Sequence, residues 1–515
     1  MPWPAAVRSD QQEVVTVASE QEWGRVTAAS APAHLVKNEH GRAEDHPPHP
    51  ATAQPIGQDV DRVLGSQPGG RTHDTRLEPG WGPIGRENMT GHRSKRGAAA
   101  RVVLTVLAMS LVFPLSVSAS GAHTTGRTPV VLFPAFHFTK LLVTAHNQTV
   151  APDCPASGSF EDWFQNSNPS STFSQVCEDR LMTLRYDASH KKPMPKRFSN
   201  QPGVTVTIIN YGMTQSAPFY EPMYQALEAA GYVRNQNIRV AGYDARLSPD
   251  IGDFVARTKK LIEKTYRDNG NRPVHLVGHS NGPIYAEYLL THTSRAWRDK
   301  YIHGFTPFAG NFPGQGSVYL LMFSGLNITD FSFPTTKANA ESSARMYLSA
   351  PSTYISEADP RVFGDRETII QDASTGRSYT PNDYRRLFDD AGLAREKEIA
   401  NYYIGFLRMS SPSSFPHVDV YAEKGSGIDT VVGAVLNDLT VGQVIDPNTT
   451  QFFTRDGDVN QEDITNNAVG NWQAMRCFHF SLTDNPGIDH FSLPGNANVL
   501  SRLVADLALP RSHCR

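Results

Sequence analysis

The chain has 515 residues, a formal net charge of −3 and four cysteines. This length suits one large domain with insertions and tails, or two domains. A charge so close to zero gives no global basic field, so we do not expect nucleic acid as a partner. No two cysteines form a Cys-x-x-Cys pair, which argues against a zinc site, and the even count is compatible with two disulfides in a secreted protein.

The N-terminal segment, residues 1–97, shows no sustained apolar periodicity. It is rich in proline, glycine, alanine, histidine and charge, and such a segment cannot bury enough apolar surface to order itself. We interpret it as a disordered or mis-assigned leader. Met89 would supply a start codon at the usual distance from the targeting segment that follows.

Residues 98–121 have the pattern of a signal peptide. Basic residues precede the apolar run 102–117, and small residues follow it. A single-span anchor is the alternative, although the run is slightly short and contains Pro114. Both assignments predict a secreted or lumenal protein, with a vacuole or lysosome-like compartment included and a membrane-anchored form as the alternative. Three glycosylation sequons agree with this, at Asn147, Asn327 and Asn448.

From residue 122 onward, short apolar runs alternate with helix-like stretches. Strands are predicted at residues 128–133, 204–210, 237–243, 274–277 and 301–307. Helices are predicted at residues 217–230, with Ser216 as the candidate N-cap, and at 250–267 and 283–291. Strands that alternate with helices predict an α/β fold in which a largely parallel sheet carries helices on both faces.

The alternation is lost over residues 313–415, which we interpret as a cap segment inserted between strands of the sheet. A helix is predicted within it at residues 396–409. Alternation returns afterwards, with strands predicted at 418–422, 451–453 and 477–482 and a closing helix at 496–508. The predicted α/β domain therefore spans residues 122–515.

The pentapeptide Gly278-His279-Ser280-Asn281-Gly282 stands between a predicted strand and a predicted helix. This arrangement indicates a nucleophile elbow, a strained turn in which a side chain at either glycine would clash. The turn would lift the Ser280 hydroxyl towards a base, and the Asn281 amide would face a developing oxyanion. The alternative is a surface turn. We interpret His279 as structural, with its ring directed away from the nucleophile.

Candidate partners for Ser280 follow it in the order acid, then histidine. Asp458 lies in an Asp-Gly-Asp turn after a predicted strand, and His490 lies just before the final helix. We predict that His490 takes the serine proton and that Asp458 orients and stabilises the imidazole. The backbone N–H of His137 is the predicted second oxyanion donor. Alone, the Asp-Gly-Asp turn could equally be a solvated turn or a cation site, and the loop with His137 could merely pack.

Several segments resemble the lecithin:cholesterol acyltransferase and lysosomal phospholipase A family. They are PVVLFP (129–134), GYVR (231–234), GYDARL (242–247), VGHSNG (277–282) and AWRDKYI (296–302), followed by GSGI (425–428), DGD (456–458) and IDH (488–490). The resemblance covers about residues 128–510. It implies an α/β-hydrolase fold with an inserted cap and a disulfide-closed lid, and Ser280, Asp458 and His490 match the family triad.

The resemblance also implies two disulfides and a lipid-facing lid. Cys154 and Cys177 match the pair that closes the lid, at about residues 150–180, and Cys477 and Cys514 match the second pair. Inside the lid, Trp163 and Phe164 would contact lipid. The implied partner is a phospholipid membrane or a lipoprotein-like surface.

The expected activity is cleavage of glycerophospholipid acyl esters through a serine acyl-enzyme, with transfer to water or to a lipid alcohol such as a sterol, and no metal or cofactor is implied. The alternatives are a catalytically weak lipid-binding relative and a generic secreted serine esterase or peptidase. The sequence departs from the family pattern at Ala135 (usually glycine), Ala245 (usually tryptophan), Asn281 (usually leucine) and Val459 (usually threonine). These departures bear on pocket shape and acceptor choice more than on the chemistry.

Overall fold

The computed structural model describes residues 13–15, 126–162, 171–327, 332–404, 415–455, 472 and 477–512. The predicted targeting segment and most of the predicted leader lie outside these ranges. Within them, no helix is long and apolar enough to cross a membrane. Contacts divide the chain into residues 1–25 with 120–515 and residues 26–119, and the second unit lies wholly outside the described residues.

The strands, in chain order, are β1 (Glu13–Val15), β2 (Val130–Phe133), β3 (Leu141–Ala145), β4 (Gly158–Asp162), β5 (Arg185–Tyr186), β6 (Phe198–Ser199), β7 (Val204–Ile208), β8 (Ile238–Val240), β9 (Val274–His279), β10 (Ile302–Phe308), β11 (Ile370–Asp372), β12 (Arg377–Tyr379), β13 (Val420–Ser426), β14 (Thr430–Leu436), β15 (Phe452–Arg455) and β16 (Phe480–Pro486). The α-helices are α1 (Gln175–Met182), α2 (Glu221–Ala229), α3 (Phe254–Asp268), α4 (Gly282–Thr291), α5 (Arg295–Tyr301), α6 (Val318–Ser324), α7 (Lys337–Ser349), α8 (Pro351–Ile355), α9 (Pro360–Phe363), α10 (Tyr384–Asp390), α11 (Ala394–Tyr403) and α12 (Ala497–Asp506).

A six-stranded sheet in the order β16-β13-β10-β9-β2-β8 forms the centre of the fold, and every neighbouring pair in it is parallel. Strands β2, β9 and β10 are buried along their whole length. Strands covered on both faces can read as continuous apolar runs, as β2 does, whereas β9 and β10 also contain histidine and glycine. The predicted α/β fold with a mostly parallel central sheet is confirmed.

The hydrophobic core lies on both faces of this sheet. Along β2, Val131 and Phe133 belong to one core cluster, whereas Val130 and Leu132 belong to the other. Successive side chains of a strand point to opposite faces, so the two clusters are separated by the sheet. Helix α4 packs against β2, β9 and β10, while α12 and α2 pack against each other.

Two predicted strands exist but belong to other sheets. Strand β7 pairs with β3 in a three-stranded antiparallel sheet. It alternates between buried and more exposed positions, which fits a sheet with one solvated face. Strand β15 pairs with β14 in a five-stranded sheet, ordered β1-β15-β14-β11-β12, that also receives strands from the predicted cap segment.

The predicted N-cap of the helix after residue 216 is wrong. A short 3-10 turn (Pro218–Tyr220) precedes α2, and Tyr220 occupies the N-cap position without a capping side chain. Ser216 instead donates its hydroxyl to the carbonyl of Met213. The 3-10 turn and α2 each have a proline in their first turn. Because proline fits the first turn of a helix, it favours the start of a helical element at both points.

A disulfide joins Cys154 to Cys177 on α1, with 5.7 Å between the two Cα atoms. This confirms the first predicted pair. Cys477 is also disulfide-bonded, and its predicted partner, Cys514, lies outside the described residues. Trp163 and Phe164, the predicted lipid-contact residues within the loop that the first disulfide closes, lie outside them as well.

Asp179 connects α1 to α7. Its Oδ2 accepts hydrogen bonds from the hydroxyls of Ser342 at 2.7 Å and Ser343 at 2.6 Å. Burial raises the pKa of Asp179 to about 7; the two hydroxyls oppose this shift, and the carboxylates of Asp162 and Glu178 add to it. The contact between the two helices is therefore made by a carboxyl group that is protonated in acid.

We expect this carboxyl group to make the protein more stable in acid than at neutral pH. The pKa of Asp179 is higher in the folded state than the ordinary 3.8, so its contribution is complete below the ordinary value and is lost as pH rises through about 7. Asp179→Asn keeps the neutral form and should reduce the fall in the free energy of unfolding between pH of about 4 and about 7, measured by urea denaturation. Asp299→Asn on the exposed face of α5 is the control. An unchanged pH slope in Asp179→Asn would contradict this assignment.

Candidate active site

Ser280 lies on a strained turn between β9 and α4. Its backbone φ is +60°, in the left-handed region that non-glycine residues rarely adopt. A Cβ atom on Gly282 would lie 2.0 Å from the carbonyl oxygen of Phe133, and one on Gly278 would lie 2.7 Å from the nitrogen of Pro283. Both positions therefore require glycine, as the Gly-x-Ser-x-Gly spacing predicts. The turn leaves Ser280 half-buried at the carboxyl edge of the central sheet.

The loop after β2 passes over the N-terminus of α4 and contains His137, whose φ is +61°. Two buried tyrosines hold this loop. The hydroxyl of Tyr243 donates to the carbonyl oxygen of Pro134 at 2.7 Å, and the hydroxyl of Tyr220 accepts from the N–H of Ala135 at 2.8 Å. The loop is thus tied to the core directly beside the elbow, where an oxyanion donor would be needed.

The His137 side chain packs against the cap segment. Its ring lies 4.5 Å from the ring of Phe136 and 6.1 Å from that of Tyr347 on α7, between ring centroids. Burial lowers the pKa of His137, and the carboxylates of Asp162 and Asp244 only partly oppose this shift. Burial therefore favours the neutral form of the ring, and among the described residues its Nε2 has no hydrogen-bond partner.

His490 lies in the loop between β16 and α12. The carboxylate of Asp489 accepts hydrogen bonds from the two backbone N–H groups that follow His490, at 2.9 and 2.8 Å, and so forms a tight turn. The backbone carbonyl of His490 accepts a hydrogen bond at 2.9 Å from Nε2 of His279, and the two rings lie 4.9 Å apart. The fold thus brings His490 beside the residue that precedes Ser280.

His279 links the turn with Ser280, the loop with His137 and the loop with His490. The sequence analysis missed this role. A carbonyl oxygen can only accept, so Nε2 of His279 carries the proton and Nδ1 accepts from the hydroxyl of Tyr220 at 3.1 Å. Because Tyr220 also accepts from Ala135, one relay runs from Ala135 through Tyr220 and His279 to the backbone of His490. Burial holds the pKa of His279 well below its usual value, which keeps the ring neutral. The signal available in the sequence was its position next to Ser280, the predicted nucleophile.

Known proteins resemble this chain in sequence. The family model described as "Lecithin:cholesterol acyltransferase" matches residues 198–402. "Lecithin-cholesterol acyltransferase-like 1" of Oryza sativa subsp. japonica is 25% identical over 420 residues, covering 78% of this chain and 91% of its own. "Lysosomal phospholipase A and acyltransferase" of Homo sapiens is 27% identical over 321 residues, covering 60% and 74%. "Phosphatidylcholine-sterol acyltransferase" of Gallus gallus is 26% identical over 308 residues, covering 58% and 71%.

Over residues 198–402 the chain resembles the lecithin:cholesterol acyltransferase family, and the predicted resemblance is confirmed. At the level of that family, the relatives support a lipid acyl hydrolase or acyltransferase. The span matched by the family model includes Ser280 and Asn281. It does not reach His137, Asp458 or His490, whose roles therefore rest on the sequence order and on the geometry above.

Three departures from the family pattern are buried at this site. The N–H of Ala135 donates to the hydroxyl of Tyr220. Alanine at this position, where the family usually has glycine, therefore keeps the hydrogen bond that holds the loop. Ala245 is 3% exposed and lies between Asp244 and Arg246, which form an ion pair. Asn281 is also 3% exposed, in a place where the family usually has leucine. An amide there needs hydrogen-bond partners that a leucine would not.

The predicted acid, Asp458, lies outside the described residues. The strand before it, β15, lies in the five-stranded sheet rather than in the central sheet. Asp458 therefore stays a prediction. Among the described residues, no cluster of histidine, cysteine and acidic side chains has the arrangement of a metal site.

Proposed function

We propose that this protein cleaves an acyl ester of a glycerophospholipid through a covalent acyl group on Ser280 and passes the acyl group to water or to a lipid alcohol. The observation that carries the proposal is the meeting of three loops at the carboxyl edge of the central sheet. These are the elbow with Ser280, the loop with His137 and the loop with His490. The His279 relay supports it, because it couples all three loops through directed hydrogen bonds.

The proposed chemistry has two steps of the same kind. Ser280 Oγ attacks the ester carbonyl carbon while the His490 imidazole takes the hydroxyl proton. The bond to the glycerol oxygen then breaks, and the imidazolium returns the proton to that oxygen, which releases a lysophospholipid. In the second step, the oxygen of water or of a lipid alcohol bonds to the acyl carbon while His490 takes its proton. The bond between the acyl carbon and Ser280 Oγ then breaks, and the imidazolium returns the proton to Oγ.

Two backbone N–H groups are proposed to stabilise the charge that develops on the ester oxygen. The amide of Asn281 stands at the N-terminus of α4, where helix amides have no intrahelical acceptor. The amide of His137 lies on the loop that the two tyrosines hold over the same helix end. Donors fixed before the reaction stabilise a transition state without reorganisation, which accounts for the rigid attachment of this loop.

Asp458 is the proposed partner of the His490 imidazole. Two described carboxylates, one next to His490 in the chain and one on β13, are already engaged. Asp489 accepts from backbone N–H groups of its own turn. Glu423 forms an ion pair with Arg502 at 2.7 Å and accepts from the side chain of Asn485. An acid from the segment after β15 is therefore favoured, in the order that this class of enzyme uses.

A lipid surface is the proposed partner. The disulfide between Cys154 and Cys177 closes a loop that contains the apolar pair Trp163 and Phe164. Aromatic side chains on such a loop would enter the interface of a phospholipid membrane or of a lipoprotein-like particle. The relatives named above as lysosomal and sterol acyltransferases support a secreted or lumenal location and a sterol as one acceptor.

Labelled phosphatidylcholine vesicles, prepared with and without cholesterol, test substrate and acceptor together. We expect labelled fatty acid from both preparations, and labelled cholesteryl ester in addition from the second if a sterol is the acceptor. Ser280→Ala supplies the blank. Vesicle binding without either product would overturn the proposal and favour the lipid-binding alternative. Activity restricted to short soluble esters would favour a generic esterase.

A further inference from the structure

We propose that Asn311 is a positioning residue that fixes the peptide between Ser280 and Asn281, and with it the direction of the Asn281 N–H. Asn311 follows β10, the strand beside the elbow strand in the central sheet. The inference rests on the proposed function, because it concerns an oxyanion donor of the Ser280 site.

The first contact is made by the main chain of Asn311. Its N–H donates to the carbonyl oxygen of Ser280 at 2.8 Å, and the N–H of Ser280 donates to the carbonyl oxygen of Phe308 at 3.0 Å. The Ser280 carbonyl and the Asn281 N–H belong to one planar trans peptide, in which the C=O and N–H bonds point in opposite directions. Holding the carbonyl towards Asn311 therefore directs the N–H away from it, and a flipped peptide would lose the bond.

The second contact is made by the side chain of Asn311. Its Nδ2 donates to Oδ1 of Asn281 at 2.7 Å. The Nδ2 of Asn281 then donates to the hydroxyl of Ser356 at 2.8 Å, and that hydroxyl donates to the carbonyl of Ser352 on α8 at 3.0 Å. The donor peptide is thus held at its carbonyl and through its side chain, and the chain of bonds ends in the cap segment.

The side chains of this arrangement are buried, so their polar atoms need hydrogen-bond partners within the protein. Asn311 is 2% exposed, and Asn281 and Ser356 are each 3% exposed. Among the described residues, no donor reaches Oδ1 of Asn311, and a buried acceptor without a partner destabilises a fold, whereas an apolar pair of the same shape would avoid that loss. An asparagine pair is therefore poorly explained by stability alone. It is explained if the amide of Asn311 orients Asn281.

The test compares the wild type with Asn311→Leu in steady-state hydrolysis of phosphatidylcholine vesicles. Removing one oxyanion donor from a serine hydrolase lowers kcat by roughly 10²–10³-fold. For a donor that is only misdirected we expect a fall in kcat of about 10- to 100-fold with little change in KM. Asn311→Asp, which keeps the side-chain shape, is the second variant if Asn311→Leu folds poorly.

A pair of long-chain inhibitors separates positioning from general damage. A trifluoromethyl ketone becomes a charged adduct on a nucleophilic serine and uses the oxyanion donors, whereas the matching secondary alcohol cannot be attacked. We expect Asn311→Leu to lose affinity for the ketone in proportion to kcat/KM while it keeps its affinity for the alcohol. Equal losses for both inhibitors, or no loss of kcat, would overturn the proposal.

Three further variants complete the test. Asn237→Leu removes another fully buried asparagine, at the amino end of β8, and should leave kcat and the inhibitor ratio unchanged. The double variant Asn281→Leu with Asn311→Leu should lose no more kcat than Asn281→Leu alone, because the two side chains act through one contact. Additive losses of kcat would contradict this coupling between Asn311 and Asn281. If the wild type itself forms no ketone adduct, the proposed function fails rather than the role of Asn311.

Discussion

In Ser280→Ala, fatty-acid release from phosphatidylcholine vesicles is expected to fall by at least about 10⁴-fold. The variant removes the oxygen atom that would carry the acyl group. It leaves the strained turn intact, since alanine keeps the same backbone and the flanking glycines keep their close contacts with Phe133 and Pro283. The rate of release, measured as initial velocity with labelled lipid, checks the prediction.

The loss must come without a loss of folding. Circular dichroism and the midpoint of thermal unfolding should match those of the wild type, and an alkyl fluorophosphonate should label the wild type but not the variant. Ser378→Ala on the exposed strand β12 is the matched control and should retain both activity and labelling. Release at the wild-type rate from a folded Ser280→Ala protein would rule out Ser280 as the nucleophile.

In Arg246→Met, the free energy of unfolding is expected to fall by about 3–5 kcal/mol. The guanidinium is 1% exposed and lies 2.6 Å from the carboxylate of Asp244. It also donates to the carbonyl of Met182 at the end of α1 and to the side chain of Asn200 at 2.9 Å. Removing it would leave a buried carboxylate without its cation, and its charge and hydrogen bonds are what hold the pKa of Asp244 below its usual value against burial.

Urea denaturation of three variants distinguishes this effect from a general loss of an arginine. Arg345→Met removes an exposed arginine that pairs with Glu341 on the same helix and should change stability by less than about 1 kcal/mol. Adding Asp244→Asn to Arg246→Met should recover part of the loss, because no buried charge is then left unpaired. A change in Arg246→Met as small as that in Arg345→Met would show that the ion pair contributes little.

The sequence predicted the parts of the site whose requirements are local. The strand, the turn and the helix around Ser280 follow from adjacent residues, and the two glycines are required by contacts within that turn and with the loop next to it. His490 was proposed from its order after Ser280 and its place before the last helix, and its role stays a prediction. A largely parallel central sheet could be inferred because the predicted strands alternate with predicted helices along the chain.

The sheet membership of β7 and β15 could not be inferred in the same way. Both segments have strand character, but pairing is decided by which backbone is free to bond, and that depends on residues far along the chain. In β7 the partner is β3, and in β15 the partner is β14. The same limit explains why Ser216 was wrongly assigned as a cap, since a proline-led 3-10 turn precedes the helix instead.

By itself, the sequence determined the strained turn around Ser280, the fold class and the family resemblance, because each depends on short segments with strict steric or packing rules. Only the tertiary structure decided how the loops are held together. His279 meets Tyr220 across 59 positions of the chain and His490 across 211, while Asn311 meets Asn281 across 30. A hydrogen bond needs its two atoms within about 3 Å, and no local pattern records that such distant residues are brought so close.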